Sequence, residues 1–197
     1  FGLLFGFLFL LVAGLFAIAT ARGPEMLHFI GGSSTILVFA IWLGSSYESD
    51  AWPEILGFIV LFALFYLAAP FIARRFGRTF SGTGTKAVYA APLLLFTLPC
   101  LAVLEPACAA PGLLFGTLFL ILLGVSAYAL YAEKGVLYYI AAVFALLAEA
   151  AWSLHHLTPE RVYSGLAIYA VFGLFYVGVP LAARRWSKSL RPESAGA

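Results

Sequence analysis

The stretch Leu64-Phe65-Tyr66-Leu67-Ala68-Ala69-Pro70-Phe71-Ile72-Ala73-Arg74-Arg75 returns, 110 positions later, as Leu174-Phe175-Tyr176-Val177-Gly178-Val179-Pro180-Leu181-Ala182-Ala183-Arg184-Arg185. An apolar run that keeps a proline near its end and then breaks into two arginines reads as a membrane helix leaving the bilayer on its positive side. Sliding the chain by the same offset, without a gap, places Gly2-Leu3-Leu4-Phe5-Gly6 on Gly112-Leu113-Leu114-Phe115-Gly116 and Trp42 on Trp152. Each unit holds four apolar runs. An even number returns the chain to its starting side, so the repeat is parallel rather than inverted. The expected fold is all-α, a polytopic transmembrane helical bundle of seven helices with a parallel internal repeat of 110 residues. Its first four-helix module covers 1–110, and an incomplete second copy, three helices and a polar tail, covers 111–197.

Composition requires a lipid environment. Hydrophobic residues make up 63% of the chain and charged residues 10%, against roughly 45–50% and 25% in soluble domains. The few charges sit between the apolar runs, so the bilayer must cover most of the surface, and lipid is the first expected partner. A net charge of +2, split among loops rather than gathered in a stripe, excludes nucleic acid as a partner class. The opening Phe1-Gly2-Leu3-Leu4 has neither a methionine nor a basic stretch before the apolar run. That start does not read as a signal peptide and is expected of a segment cut from a longer chain.

At about 20 residues per span, the helices fall at Phe1 to Thr20, Met26 to Gly44, Glu54 to Ala73, Ala87 to Leu104, Pro111 to Ala132, a sixth after Gly135 to Leu154, and a seventh ending at Ala183. Pro92 and Pro99 predict a kink in the fourth. Ten of the eleven Lys and Arg residues fall on one side of this topology: Arg22, Arg74, Arg75, Arg78, Lys86, Lys134, Arg184, Arg185, Lys188 and Arg191. Arg161 alone is opposite. By the positive-inside rule the ten are cytoplasmic, which puts Phe1 outside and Ala197 in the cytoplasm. Trp42, Tyr47, Trp52, Trp152 and Tyr163 then fall at the outer interface as an aromatic belt.

The repeated apolar-Phe-Tyr-x3-Pro-x3-Arg-Arg pattern, in units of four short-looped helices, resembles that of large bacterial polytopic membrane proteins carrying a domain of unknown function. The resemblance spans the whole chain. It implies the bacterial inner membrane, a longer parent chain, and other membrane helices of that chain or of a complex as partners. It carries no activity and no residue roles.

Candidate chemistry is sparse. Glu149 is the one acid inside an apolar run, and it shares a helix face with Trp152 and His156. The functional reading is a polar pathway, with a proton relay through Glu149 and His156 and a substrate-lining strip of hydroxyls at Ser33, Ser34 and Thr35. Snorkelling or a single interhelical hydrogen bond is the structural one. Gly31-Gly32, like the two G-x-x-x-G pairs, predicts close helix packing. Arg74, Arg75, Arg78, Lys86, Arg184 and Arg185 are candidate contacts for anionic headgroups. Ser81-Gly82-Thr83-Gly84-Thr85-Lys86 lacks phosphate-loop spacing. Cys100 and Cys108 are close enough in sequence for a disulfide. No zinc spacing or nucleophile elbow occurs, so no metal, cofactor or catalytic residue is expected. The leading expectation is a non-enzymatic scaffold or partner subunit, with a carrier for a lipid or apolar molecule as the alternative.

The basic-residue count makes the orientation testable. A reporter active only in the cytoplasm, fused after Lys188, is expected to be active, and the same reporter inserted between Glu48 and Asp50 silent; the opposite pattern contradicts the assignment.

Overall fold

The computed structural model describes residues 1–188 and residue 190; Arg191 and Ala197, used above for orientation, lie outside them. Among the described residues all regular structure is helical. The α-helices are α1 (Gly2–Arg22), α2 (Met26–Ser45), α3 (Trp52–Arg75), α4 (Ala90–Leu93), α5 (Thr97–Leu104), α6 (Gly112–Ala132), α7 (Gly135–His156) and α8 (Val162–Arg185). Seven stretches are long and apolar enough to cross a membrane. Six carry one long helix each, and the fourth is Gly84–Leu104. The chain is therefore a multi-pass membrane protein.

Local chemistry explains the helix ends. Gly23 stops α1 in the left-handed region, φ 101°, with its N–H on the Ala19 carbonyl, and Pro24 follows. This is the glycine cap expected where a helix must end sharply. Pro53 opens α3 in the first turn, where its missing N–H costs nothing. Glu133 ends α6 at φ 56°.

The fourth span departs from expectation. It is not one kinked helix but 3-10 turns over Gly84–Tyr89 and Leu94–Phe96 alternating with α4 and α5. Pro92 cannot donate to the Val88 carbonyl, nor Pro99 to that of Leu95, so the α-helical ladder is cut twice within eight residues' reach. In contrast α3 and α8 run unbroken through Pro70 and Pro180.

Two compact units divide inside this broken span, between Leu94 and Leu95. The module boundary expected at 110 falls elsewhere, between the 3-10 turn Pro106–Ala109 and α6. In the first unit α2 is the shared element, packing on α1 and on the start of the fourth span. Adjacent glycines lie at both contacts, with room for a Cβ but for little more. A Cβ on Gly31 would lie 3.4 Å from Val12 of α1, and one on Gly32 would lie 3.4 Å from the Ala90 methyl. In the second unit α7 holds that place, packed against α5, α6 and α8.

The ring contacts inside each unit match at the 110-residue offset. Phe5 meets Trp42 edge-on at 5.6 Å and 81°, and Phe115 meets Trp152 at 5.9 Å and 85°. Phe9 meets Phe62 at 5.5 Å and Phe119 meets Phe172 at 5.8 Å. Phe9–Phe65 at 5.5 Å corresponds to Phe119–Phe175 at 5.4 Å. Two expectations are corrected here. Trp42 and Trp152 are not belt residues: both rings are buried, because each is the edge-on partner of a phenylalanine on the preceding helix. The G-x-x-x-G pairs make no packing contact among the described residues, for Gly2, Gly6, Gly112 and Gly116 have nothing within 4 Å of where a Cβ would stand. They face open surface.

The glycine contacts predict a contrast. Gly32→Leu is expected to destabilise the protein by about 1–3 kcal/mol through overpacking, whereas Gly14→Leu, with nothing within 4 Å, should stay within about 0.5 kcal/mol. Thermal unfolding in mild detergent measures both, and equal effects would contradict the packing described.

Candidate functional site

The polar groups inside the spans are organised by the tyrosines of the repeated motif. Tyr66 stands four residues before Pro70, and Tyr176 four before Pro180. The carbonyl that loses its helical donor to each proline is therefore the tyrosine's own. In hydrocarbon such a group must be satisfied within the protein. At Tyr176 it is: the Tyr138 hydroxyl of α7 donates to the Tyr176 carbonyl at 3.3 Å. The Tyr176 hydroxyl in turn donates to Glu149 Oε1 at 2.8 Å. Glu149 is 7% exposed, so its carboxyl is turned inward onto α8 rather than snorkelling outward.

The first unit uses the same tyrosine with a different partner. Tyr66 and Thr35 hydroxyls lie 2.8 Å apart. Thr35 spends its one proton on the Gly31 carbonyl at 2.9 Å, so Tyr66 is the donor between them. The position matching Tyr138 is His28, which lies 5.7 Å from the Tyr66 ring and stacks on Phe80 at 5.3 Å. Its Nδ1 is buried without a hydrogen-bond partner.

The remaining groups on the inner face of α7 are held by backbone carbonyls. Trp152 Nε1 donates to Cys108 at 2.7 Å. His156 Nε2 lies 2.7 Å from the Ala102 carbonyl; a carbonyl only accepts, so the ring carries its proton on Nε2. Arg161 donates to the His156 carbonyl at 3.3 Å. Glu149 and His156 do share a face, yet one closes on a phenol of α8 and the other on a carbonyl of α5. Thr35 closes within the first unit. Ser33 is exposed and bonds back to the Phe29 carbonyl at 3.1 Å, and Ser34 is half-buried.

The basic candidates sit at helix ends. Arg74, Arg75, Lys86, Arg184 and Arg185 are exposed. Arg78 lies over the turn after α1, its guanidinium 3.4 Å from where a Gly23 Cβ would stand. Lys188 pairs with Glu133 at 2.8 Å. The glycine-rich loop is folded down rather than open: Glu25 Oε2 accepts from the Ser81 N–H at 2.9 Å. Gly84 must be glycine there, because a Cβ would come within 2.8 Å of that glutamate.

Both cysteines are free thiols. Burial, with the Glu105 carboxylate adding to it, pushes the Cys108 thiol up to about 12. Among the described residues no three His, Cys, Asp or Glu side chains gather in a metal-binding group. Comparison of the chain with protein-family models, with curated proteins and with solved structures finds no match.

Tyr66, Tyr138 and Tyr176 were not among the candidates expected from sequence. The signal was in the motif itself, in the spacing of four between tyrosine and proline.

Cys108 offers a direct check on the Trp152 bond. With Cys100→Ser removing the second thiol, Cys108 should react slowly with a maleimide at pH 8, since it stays protonated well above that pH. Trp152→Phe should speed the reaction about tenfold by freeing the Cys108 carbonyl and loosening its turn. Fast alkylation of the parent would contradict the burial.

Proposed function

We propose that the chain is a non-enzymatic module of the bacterial inner membrane, duplicated in parallel, that acts as a scaffold or partner subunit for other membrane helices. In this reading Phe1 faces outward and Ala197 the cytoplasm. The observation that carries it is the closure of the α7 face. Glu149, Trp152 and His156 are each spent on a partner within their own unit, at 2.8, 2.7 and 2.7 Å. A polar path for substrate needs groups left free to exchange partners, and each of these three side chains is already engaged.

The outer side of α8 supports the partner role. Only 17% of its most apolar stretch is buried, the least of the seven spans. Leu174 is 75% exposed, and the neighbouring Gly173 and Gly178 have nothing within 4 Å. Small residues beside large apolar ones are what a second helix packs against in a bilayer. The ring pairs matched at 110 residues support duplication.

A second reading, a proton-linked carrier for a lipid or apolar molecule, is favoured by one feature. Glu149 is buried with a neutral phenol rather than a cation as its partner, and an ionisable group so placed can take up a proton.

Glu149→Gln separates the two, because the amide oxygen still accepts from Tyr176. In vesicles under an imposed pH gradient, the parent and Glu149→Gln are both expected to show only the proton leak of protein-free vesicles. Proton uptake by the parent that Glu149→Gln abolishes would overturn the scaffold reading in favour of the carrier.

A further inference from the structure

One groove lies at the basic end of α1 in the first unit and another at that of α6 in the second, and the two are lined at matching positions. The first, about 480 Å³, lies between Phe16, Ala17 and Thr20 of α1 and the turn Phe76-Gly77-Arg78 after α3. The second, about 300 Å³, lies between Ser126, Ala127 and Leu130 of α6 and the end of α8, with Trp186. Phe16, Ala17, Thr20 and Phe76 correspond at 110 residues to Ser126, Ala127, Leu130 and Trp186. Each wall also contains a buried hydroxyl with no hydrogen-bond partner, Thr20 Oγ1 in one and Ser126 Oγ in the other. Both volumes fall in the range of ligand sites.

Charge distinguishes them. Lys188 of the second unit is held by Glu133 at 2.8 Å, so its positive charge is already answered. The corresponding residues of the first unit are Arg78 and Gly23. Glycine supplies no carboxylate, yet the guanidinium stays over it, 3.4 Å from where a Cβ would stand. Among the described residues no hydrogen bond or ion pair engages the Arg78 side chain. It is an exposed fork of donors at the mouth of an apolar groove, beyond the ends of two candidate spans, Gly2–Arg22 and Trp52–Arg75.

We propose that the groove of the first unit binds one anionic phospholipid, its headgroup phosphate on Arg78 and an acyl chain along Phe16, Ala17 and Phe76. A guanidinium pairs bidentately with phosphate oxygens, and the apolar wall distinguishes a lipid from a free anion. The groove of the second unit, its cation neutralised by Glu133, accepts apolar chains without preference for charge.

Native mass spectrometry of the full chain in detergent tests this, titrating dioleoyl phosphatidylglycerol, dioleoyl phosphatidylcholine and inorganic phosphate. One phosphatidylglycerol is expected to bind about tenfold more tightly than phosphatidylcholine, because the choline cation of phosphatidylcholine offsets its own phosphate and is repelled by Arg78, whereas phosphatidylglycerol keeps a net negative charge. Arg78→Gln should erase that preference while Lys134→Gln, at the same end, retains it. Glu133→Gln frees Lys188 and should add a second site that prefers phosphatidylglycerol; its ion pair is exposed, so the fold survives the change. Equal binding of the two lipids, a preference that outlasts Arg78→Gln, or inorganic phosphate binding as tightly as the lipid would each overturn the proposal. A Glu133→Gln protein with no second preferring site would overturn the ion pair as the difference between the grooves.

Discussion

A proline inside a membrane helix leaves a carbonyl that water cannot reach and the helix cannot satisfy. That constraint explains much of how α7 and α8 meet. Pro180 strips the Tyr176 carbonyl of its donor, and the Tyr138 hydroxyl from α7 replaces it. The same tyrosine sends its hydroxyl back to Glu149 on α7. Two hydrogen bonds thus run in opposite senses between one pair of helices, through one residue. In a bilayer, where lipid is as apolar as leucine, such bonds and close packing replace the hydrophobic effect as the source of helix pairing.

The first unit shows the device with its parts exchanged. Tyr66 still reaches the second helix of its unit, but lands on Thr35. Thr35 corresponds to Ala145, one turn before Glu149. The polar partner has moved along the helix by one turn while the aromatic framework, Phe5 on Trp42 and Phe115 on Trp152, keeps its geometry. Glu149 is therefore one of two ways to receive a buried tyrosine hydroxyl, which is why a structural role accounts for it. Outside these ties the units differ in charge, and the exchange of Glu133 and Lys188 for Gly23 and Arg78 changes what each basic end can bind.

How much of this was legible in the sequence depends on the kind of residue. The seven spans were, because a run of about 20 apolar residues has few alternatives, and the ends were marked by Gly23-Pro24, Pro53 and the paired arginines. Faces were not. α1 and α6 are apolar all round, so no stripe tells which side meets a neighbour; hence the G-x-x-x-G pairs, expected to pack, lie open, and Trp42 and Trp152, expected in the interface, are buried. Pro92 and Pro99 announced a disturbance but not its form, since two cuts so close leave room only for short 3-10 and α segments. Glu149 and His156 could be placed on one helix face, whereas their partners depended on the rotation of α8 and the path of α5. Those are set by tertiary packing.

The exchange of a backbone donor for a tyrosine hydroxyl is open to one decisive measurement, a double-mutant cycle of Tyr138→Phe with Pro180→Ala, read by thermal unfolding in mild detergent. Alanine at 180 restores an N–H to the Tyr176 carbonyl. Tyr138→Phe should therefore cost about 1 kcal/mol with Pro180 present, in line with one buried hydrogen bond, and close to nothing in the Pro180→Ala background. The same cost in both backgrounds would contradict the account.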